Sequence, residues 1–286
     1  MAAACTSGVD SSLVDTADGG SEPLDGSTGG TNDSGIAASV DSSTVMTDGG
    51  AVSSISLTAG GVTRSFVLFA PTVPSGTPRA LVFAFHGDGG TGVSMMSDFP
   101  LERASGANAI VIYPDGINFG WDVDHPENEL PFFDAMLTHA QAVTSIDASR
   151  VFVTGYSSGG YMANQLGCLR GNVLRGIAAQ SGGGPYLLGG SFDAMGNLIC
   201  PTPSPASLAI HGDSDPTVAP SEGAFSVNYW SYKNQCGGTF TAATPNPCEV
   251  ADGCTKAKVG RCLIPGMGHQ IWSSAPEAVW AFFNSL

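Results

Sequence analysis

The sequence predicts an α/β protein with a largely parallel central sheet that is covered by helices on both faces. Two observations support this fold class. Short apolar segments typical of strands alternate along the chain with longer segments of helical periodicity. Almost every predicted strand also ends in a cluster of Gly, Asp, His or Ser. Because the site of such a sheet lies at the carboxyl ends of its strands, this regularity indicates one domain with one cleft.

The predicted strands begin with a hairpin that pairs residues 54–58 with residues 62–70, because two strand-like runs flank Ala-Gly-Gly. Continuous apolar runs then predict strands that are buried on both faces. These later strands cover 80–85, 109–113, 150–154, 176–180, 206–210 and 258–264. The helical periodicity between them predicts helices over 130–143, 160–170, 225–233 and 275–286.

The first 50 residues differ in composition from the rest of the chain. They contain eight acidic residues, no lysine or arginine and no aromatic side chain. Such a segment cannot bury enough apolar surface to offset the entropy lost on ordering. We therefore predict a disordered acidic tether over residues 1–50 and a folded domain over residues 51–286.

The overall charge limits the partners that the chain can attract. The formal net charge is −15 at pH 7, so electrostatic attraction to nucleic acid or to anionic lipid headgroups is not expected. No run of 18 apolar residues is present in the sequence, which excludes a membrane-spanning helix of the usual length. We expect a monomer.

The cysteines indicate an oxidising compartment. Six of the seven lie in the predicted domain, and no pair of C-x-x-C motifs that would suggest zinc is present. Disulfides in a secreted or cell-surface protein are the better interpretation. The seventh, Cys5, follows small residues and precedes a long polar run, which resembles the end of a bacterial lipoprotein signal. Cys5 would then carry a lipid; an incidental cysteine in the tether is the alternative.

A short motif at residues 155–159 predicts a catalytic serine. It reads Gly-Tyr-Ser-Ser-Gly, which fits G-x-S-x-G, and it lies between the predicted strand over 150–154 and the predicted helix over 160–170. This is the context of a nucleophile elbow, in which a tight turn projects the serine hydroxyl from the end of a strand. The flanking glycines leave room for neighbouring backbone. Ser157 is the candidate nucleophile, and the N–H of Ser158 is a candidate oxyanion donor.

A serine nucleophile needs a base and a carboxylate that orients the base. His269 lies in a glycine-rich loop after the last predicted strand, and both Asp213 and Asp215 follow the strand over 206–210. We favour Asp215, because Asp213 lies close to the strand end and can stabilise the turn; an Asx-turn role is the alternative for either. The resulting order of serine, acid and histidine is that of α/β-hydrolases.

A glycine-rich loop at residues 86–90 predicts the second part of an oxyanion hole. It reads His-Gly-Asp-Gly-Gly and follows an early predicted strand, as the corresponding loop does in α/β-hydrolases. The backbone N–H of Asp88 or of Gly89 is the candidate donor. A glycine-rich turn without a catalytic role is the alternative.

Five segments of the chain together resemble secreted esterases of the polyhydroxybutyrate depolymerase and feruloyl esterase type, in carbohydrate esterase family one. They read HGDGG at 86–90, YPDG at 113–116, RVFVTGYSSGGYMANQLGC at 150–168, HGDSDPTV at 211–218 and GMGHQIW at 266–272. The resemblance covers the chain from about residue 62 onward. It implies an α/β-hydrolase fold with Ser157 as the nucleophile, Asp215 as the acid and His269 as the base.

The same resemblance implies that Cys168 forms a disulfide and that the later cysteines belong to a cysteine-rich segment of the family. We predict the pairs Cys168–Cys200, Cys236–Cys262 and Cys248–Cys254.

The substrate is less strongly indicated than the reaction. Tyr156, Trp121 and Trp272 are candidates for an aromatic wall against a hydroxycinnamoyl or aryl ester, and each is also a reasonable packing residue. The ester substrate can be polymeric. Feruloyl or acetyl esters of plant polysaccharide, polyhydroxybutyrate and aromatic polyesters all remain open on the sequence.

The predicted reaction is acyl transfer to Ser157 followed by hydrolysis, and it requires neither a metal nor an organic cofactor. Two rival functions use the same scaffold. A serine peptidase could use the same triad, but the sequence offers no obvious specificity domain. A non-catalytic binding lipoprotein would be expected to have lost a triad member, and none is missing.

Overall fold

A sheet of eleven strands organises the part of the chain that this computed structural model describes, namely residues 43–47, 49–72 and 76–286. In chain order the strands are β1 (Thr44–Met46), β2 (Gly50–Ala59), β3 (Val62–Pro71), β4 (Arg79–Phe85), β5 (Ala109–Pro114), β6 (Ile146–Tyr156), β7 (Gly176–Gln180), β8 (Ala206–Gly212), β9 (Phe240–Ala242), β10 (Cys248–Ala251) and β11 (Val259–Ile264).

The centre of this sheet is parallel and both edges are antiparallel. The spatial order is β1-β2-β3-β5-β4-β6-β7-β8-β11-β10-β9. The run from β5 to β11 is parallel throughout, whereas β1, β2, β3, β9 and β10 pair antiparallel with their neighbours. The predicted parallel core is confirmed, and its strands direct their carboxyl ends to one edge.

Helices cover both faces of the sheet. They are α1 (Gly92–Asp98), α2 (Leu101–Ser105), α3 (Leu130–Val143), α4 (Ser158–Leu169), α5 (Pro220–Lys233) and α6 (Ala275–Asn284). The short helices α1 and α2 were not predicted. None of the helices among the described residues is both long and apolar enough to cross a membrane.

Strand β4 shows how one apolar run supplies two cores. Leu81 and Phe83 pack in a cluster with residues of α3, α4 and α5, whereas Val82 and Ala84 pack in a second cluster with residues of α1, α2 and α6. Successive side chains of a strand point to opposite faces, so a strand buried on both sides must be apolar at every position. This explains why the run lacks the alternation of a half-exposed strand.

The ordered sheet begins earlier than the sequence indicated. Strand β1 pairs with β2 in the register Thr44↔Ser53, so residues 44–50 belong partly to the sheet. A short strand therefore precedes the predicted domain boundary at residue 51, because Thr-Val-Met adds to an edge whose partner strand is ten residues long. The rest of the predicted tether and Cys5 lie outside the described residues, so lipid attachment at Cys5 stays a prediction.

The described residues contain three disulfides, and one of the three predicted pairs is confirmed. Cys168 is bonded to Cys200, as predicted. The predicted pairs Cys236–Cys262 and Cys248–Cys254 are wrong, because the structure joins Cys236 to Cys254 and Cys248 to Cys262.

Strand register explains both corrections. Cys248 on β10 lies directly opposite Cys262 on β11 in the antiparallel pair, which brings the two side chains together. The turn after β10 then returns the chain towards the end of α5, where the N–H of Gly237 donates to the carbonyl of Asp252 at 2.7 Å. Cys254 therefore reaches the cysteine just after α5. The sequence spacing alone does not reveal this pairing, because β10 was not predicted.

Candidate active site

Ser157 lies at the turn between β6 and α4, at the carboxyl edge of the sheet. Its backbone has φ +55°, a conformation that costs a non-glycine residue energy and must be held by its surroundings. Its N–H donates to the carbonyl of Gln180 at the end of β7, at 2.9 Å. A Cβ at Gly155 would lie 2.2 Å from the Gly159 carbonyl oxygen, and a Cβ at Gly159 would lie 2.3 Å from the Phe85 carbonyl oxygen. Both glycines are therefore required by backbone contact.

Three side chains from distant parts of the sequence form one hydrogen-bonded chain at this turn. Nε2 of His269 lies 2.9 Å from Oγ of Ser157, and Nδ1 of His269 lies 2.8 Å from Oδ2 of Asp215. His269 follows β11, and Asp215 follows β8. Because a carboxylate only accepts, Nδ1 carries the proton and Nε2 is free to accept one from the serine hydroxyl. The structure thus brings together the serine, histidine and favoured aspartate predicted from the sequence.

The choice between the two aspartates follows from what each carboxylate contacts. Asp213 is exposed, and its Oδ1 accepts the N–H of Gly266 at 2.7 Å. Asp213 therefore stabilises a turn, which is the role that the sequence offered as the alternative to that of the catalytic acid. Asp215 is buried, and its Oδ1 accepts the N–H groups of Thr217 and Val218, each at 2.9 Å. Asp215 is therefore fixed at both oxygens.

Burial alone would raise the pKa of the Asp215 carboxyl. Hydrogen bonds from His269 and from two backbone N–H groups outweigh that effect, so the pKa lies below its ordinary value. The carboxylate consequently stays charged. A second imidazole adjoins it, since Nε2 of His211 donates to the Val218 carbonyl at 3.0 Å and lies 3.5 Å from Oδ2 of Asp215.

The glycine-rich loop after β4 lies against the serine turn. A Cβ at Gly87 would be 3.2 Å from the Cβ of Ser157. Nε2 of His86 accepts the N–H of Gly116 at 2.9 Å, so Nδ1 carries the proton and donates to the Gly87 carbonyl at 2.7 Å. Because a trans peptide directs its C=O and N–H to opposite sides, this bond turns the N–H of Asp88 away from His86.

The prediction that Gly89 offers its N–H to an oxyanion is wrong. That N–H donates to the carbonyl of Phe119 at 2.8 Å, because Gly89 adopts φ +80° and faces the 117–120 turn. Within the described residues, no acceptor contacts the N–H of Asp88. Of the two candidate donors in this loop, the N–H of Asp88 is therefore the one that is not engaged by another acceptor.

Two comparisons with known proteins find relatives over most of the chain, whereas no protein-family model matches it. A probable feruloyl esterase C of Aspergillus niger is 30% identical over 224 residues, which cover 72% of this chain and 78% of that protein. The chain belongs to the feruloyl esterase C family. Feruloyl esterase C of Emericella nidulans is also similar to this chain, with 28% identity over 77% of the chain and 83% of that protein.

Solved structures agree on the fold. An acetyl xylan esterase from Aspergillus awamori superimposes with a TM-score of 0.60 at 20% identity, covering 77% of this chain and 94% of that protein. The α/β-hydrolase fold predicted from the sequence is thereby confirmed, and the family assignment makes the protein a carboxylic ester hydrolase.

Of the three aromatic candidates for a substrate wall, Trp121 has the alternative role, that of a packing residue. It is 7% exposed, its ring packs 4.8 Å from the Phe85 ring, and its Nε1 donates to the His86 carbonyl at 2.7 Å. Its role is to support the loop that carries Asp88. Tyr156 does lie at the site, with its ring centre 5.1 Å from that of His269.

The third predicted wall residue, Trp272, is half-buried and packs against the cluster beneath α6. Its part in substrate binding stays a prediction. No group of three or more His, Cys, Asp or Glu side chains that could hold a metal ion occurs in the described part of the chain.

Sequence reasoning missed a polar cluster beside the serine. Oε2 of Glu222, in the first turn of α5, lies 2.8 Å from the hydroxyl of Tyr186 and 3.4 Å from that of Tyr161. Tyr161 had a detectable signal, because it is four residues after Ser157 and thus near it on a helix. Tyr186 and Glu222 had none, since only the tertiary fold brings the segment after β7 to α5.

Proposed function

We propose that the protein is a serine esterase that works through an acyl-enzyme, with Ser157 as nucleophile, His269 as base and Asp215 as the orienting acid. One observation carries this proposal. A continuous path of hydrogen bonds, 2.9 and 2.8 Å long, joins the serine hydroxyl to a buried carboxylate through one imidazole. Such a path is the geometric requirement for activating a hydroxyl that is a weak nucleophile by itself.

In the first step, Oγ of Ser157 bonds to the ester carbonyl carbon while its proton passes to Nε2 of His269. The charged Asp215 accepts the Nδ1 hydrogen bond throughout, which stabilises the imidazolium as it forms. The imidazolium then protonates the leaving alcohol oxygen as the carbon–oxygen bond breaks. The acyl group remains on the serine.

The oxyanion of the tetrahedral intermediate is held by backbone donors. Ser158 opens α4, so its N–H points out of the start of that helix towards the substrate carbonyl. The N–H of Asp88, turned away from His86, is the proposed second donor. Donors that are fixed before the reaction need no reorganisation when the charge develops, and one of them can be worth about 10²–10³ in rate.

Water completes the reaction. Its oxygen bonds to the acyl carbon while its proton passes to Nε2 of His269. The same imidazole returns a proton to Oγ of Ser157 as the acid leaves, so the enzyme is regenerated.

The substrate we propose first is a feruloyl ester of plant polysaccharide, because the two relatives described above are named feruloyl esterases. An acetyl ester is the related alternative, after the name of the structural neighbour. Three disulfides in the described domain support action outside the cytoplasm, in a secreted or cell-surface setting.

A polyester such as polyhydroxybutyrate, or an aromatic polyester, is a second candidate that one surface feature favours. The segment between β7 and β8 exposes Leu188, Phe192 and Met195 by 68%, 61% and 75%. Exposed apolar side chains that form a contiguous patch mark contact surfaces. A solid apolar polymer is a partner that such a surface would contact.

The test is hydrolysis of p-nitrophenyl acetate, butyrate and octanoate beside methyl ferulate, with suspended polyhydroxybutyrate as a separate arm. We expect Ser157→Ala to lower kcat at least about 10⁴-fold, as removal of a triad serine does elsewhere. Ser149→Ala, an exposed serine on the same strand, is the matched control and should keep full activity. Turnover on no ester but on peptides would overturn the esterase proposal, and polymer clearing without ferulate release would favour the polyester.

A further inference from the structure

We propose that Glu222 is a specificity residue, whose carboxylate accepts a hydrogen bond from a hydroxyl group on a ring of the ester substrate. This inference rests on the proposed function, because it concerns which ester the serine site accepts.

The carboxylate of Glu222 contacts Tyr161, a residue that lies one helical turn after the serine on α4. The N–H of Tyr161 donates to the Ser157 carbonyl at 3.0 Å, which places Tyr161 at the start of α4. The segment after β7 lies on that same turn, since a Cβ at Gly182 would be 2.7 Å from the Tyr161 nitrogen. The next residue, Gly183, leaves space for the carboxylate, because a Cβ there would lie 2.1 Å from Oε2 of Glu222.

Two tyrosine hydroxyls hold Oε2 of Glu222, and both remain donors over the whole useful pH range. Burial, and then the charge of Glu222, raise the pKa of Tyr161 to about 12. Burial, with the hydrogen bond to Glu222, also raises the pKa of Tyr186. Tyr186 is itself fixed, since its N–H donates to Oε1 of Gln165 at 2.9 Å and its ring stacks on Phe225 at 5.2 Å.

The half-buried carboxylate lacks the partner that usually offsets such a charge. None of the ion pairs among the described residues includes Glu222. Within the described part of the chain, its Oε1 contacts no donor. A carboxylate can accept about four hydrogen bonds, so Glu222 keeps acceptor capacity that the two tyrosine hydroxyls do not use. That capacity is available to a hydroxyl donor of the substrate.

The surroundings of the Glu222 carboxylate favour a substrate that carries a neutral hydrogen-bond donor on an aromatic or sugar ring. A carboxylate or phosphate on the substrate would be repelled by Glu222 and by Asp215, whose charge also raises the pKa of Tyr161. Flat groups can pack on the rings of Tyr161, Tyr186 and Phe225. The phenolic hydroxyl of a hydroxycinnamoyl group and a hydroxyl of the esterified sugar share this chemistry, and the experiment separates them.

The experiment compares wild type, Glu222→Gln and the control Glu277→Gln, an exposed glutamate of α6, on two matched substrate pairs. Methyl ferulate against methyl 3,4-dimethoxycinnamate tests the phenolic hydroxyl, since the second ester carries a methyl group in its place. A feruloyl arabinose ester against methyl ferulate tests the sugar hydroxyls. A hydrogen bond to a charged group corresponds to about a tenfold to hundredfold change in kcat/KM.

We expect one of the two kcat/KM ratios to fall by about that factor in Glu222→Gln and to stay unchanged in Glu277→Gln. A fall in the first ratio identifies the acyl ring, and a fall in the second identifies the sugar. Gly183→Ala should lower the same ratio, because the new methyl group displaces the carboxylate of Glu222. This second variant tests the inference if Glu222→Gln does not fold.

Two results would overturn the inference while leaving the esterase intact. Both ratios could stay unchanged in a folded variant, or all substrates, including p-nitrophenyl acetate, could lose the same factor, which would mean a purely structural role. A wild type that cleaves no ester at all would instead remove the proposed function and this inference with it.

Discussion

Asp215 lies 2.8 Å from Nδ1 of His269, whereas Asp213, two residues earlier, accepts the N–H of Gly266 instead. Both carboxylates follow β8 and both contact the loop after β11. The difference is depth, because Asp215 is buried and Asp213 is exposed. The two aspartates therefore form a matched pair within one turn.

We predict that Asp215→Asn lowers kcat by about 10³- to 10⁴-fold with little change in KM, because an amide donates to Nδ1 and favours the wrong imidazole tautomer. Asp213→Asn should retain activity within about threefold, since it removes only part of a turn on the exposed surface. Steady-state kinetics on p-nitrophenyl butyrate measure both. Equal losses in the two variants would contradict the assignment of the acid.

The glycines around Ser157 give a prediction about stability. In a helix, alanine is more favourable than glycine by about 1 kcal/mol, so Gly159→Ala would stabilise α4 if space allowed. Its Cβ would lie 2.3 Å from the Phe85 carbonyl oxygen, and relieving such an overlap costs about 3 kcal/mol. We expect a net decrease in the free energy of unfolding, together with loss of esterase activity.

The control for this substitution is Gly268→Ala, next to His269, where the nearest atom to the new Cβ is 3.9 Å away. This variant should keep its free energy of unfolding within about 0.5 kcal/mol. Urea titration of both variants decides the question. A Gly159→Ala protein as stable as wild type would show that the elbow does not depend on close backbone contact.

The parts of this molecule that the sequence predicts well are those set by local pattern. The apolar run that forms β4 and the strand–turn–helix around Ser157 need only neighbouring residues. Chain order then points to His269 as the base and to Asp213 or Asp215 as the acid. The pairing of Cys248 with Cys262 depends on the register of two strands, one of which is only four residues long.

Side-chain direction is the second thing that local pattern does not supply. On the sequence, Trp121 fits a substrate wall and a packing role equally well, and only the structure shows that its indole N–H is bonded inward to the His86 carbonyl. The meeting of Tyr161, Tyr186 and Glu222 joins three elements separated by up to 61 residues. No periodicity encodes such a contact.

The disulfide assignment yields a chemical prediction. Peptide mapping without reductant should link Cys168 to Cys200, Cys236 to Cys254, and Cys248 to Cys262. Finding a peptide in which Cys236 is joined to Cys262 would contradict the register of β10 against β11.

The longest of these loops should contribute most to stability. Cys168 and Cys200 are 32 residues apart, whereas Cys248 and Cys262 are 14 apart. In the loop-entropy model these separations correspond to about 3.7 and about 3 kcal/mol. We therefore expect the double variant Cys168→Ala/Cys200→Ala to lower the free energy of unfolding more than Cys248→Ala/Cys262→Ala does, as measured by urea titration.

His86 makes stability depend on pH. Burial holds the pKa of His86 below its ordinary value of 6.5, and the Gly116 N–H can bond only to the neutral ring. Below about pH 6.5 an unfolded histidine takes up a proton that folded His86 does not, so the unfolded state binds more protons. The free energy of unfolding should therefore be steady above about pH 6.5 and should decrease as the pH falls below it.

The test of this dependence is urea unfolding at about pH 8 and about pH 5 for wild type, His86→Gln and His125→Gln. At the higher pH, His86→Gln should lose about 1–3 kcal/mol through its two buried hydrogen bonds. Its further decrease on acidification should be smaller than that of wild type, although half-buried His139, with its pKa also lowered by desolvation, still contributes. His125, whose side chain is 55% exposed, should leave the wild-type decrease unchanged. If His86→Gln lost as much stability between the two pH values as wild type, the glycine-rich loop at residues 86–90 would not be held by a neutral imidazole.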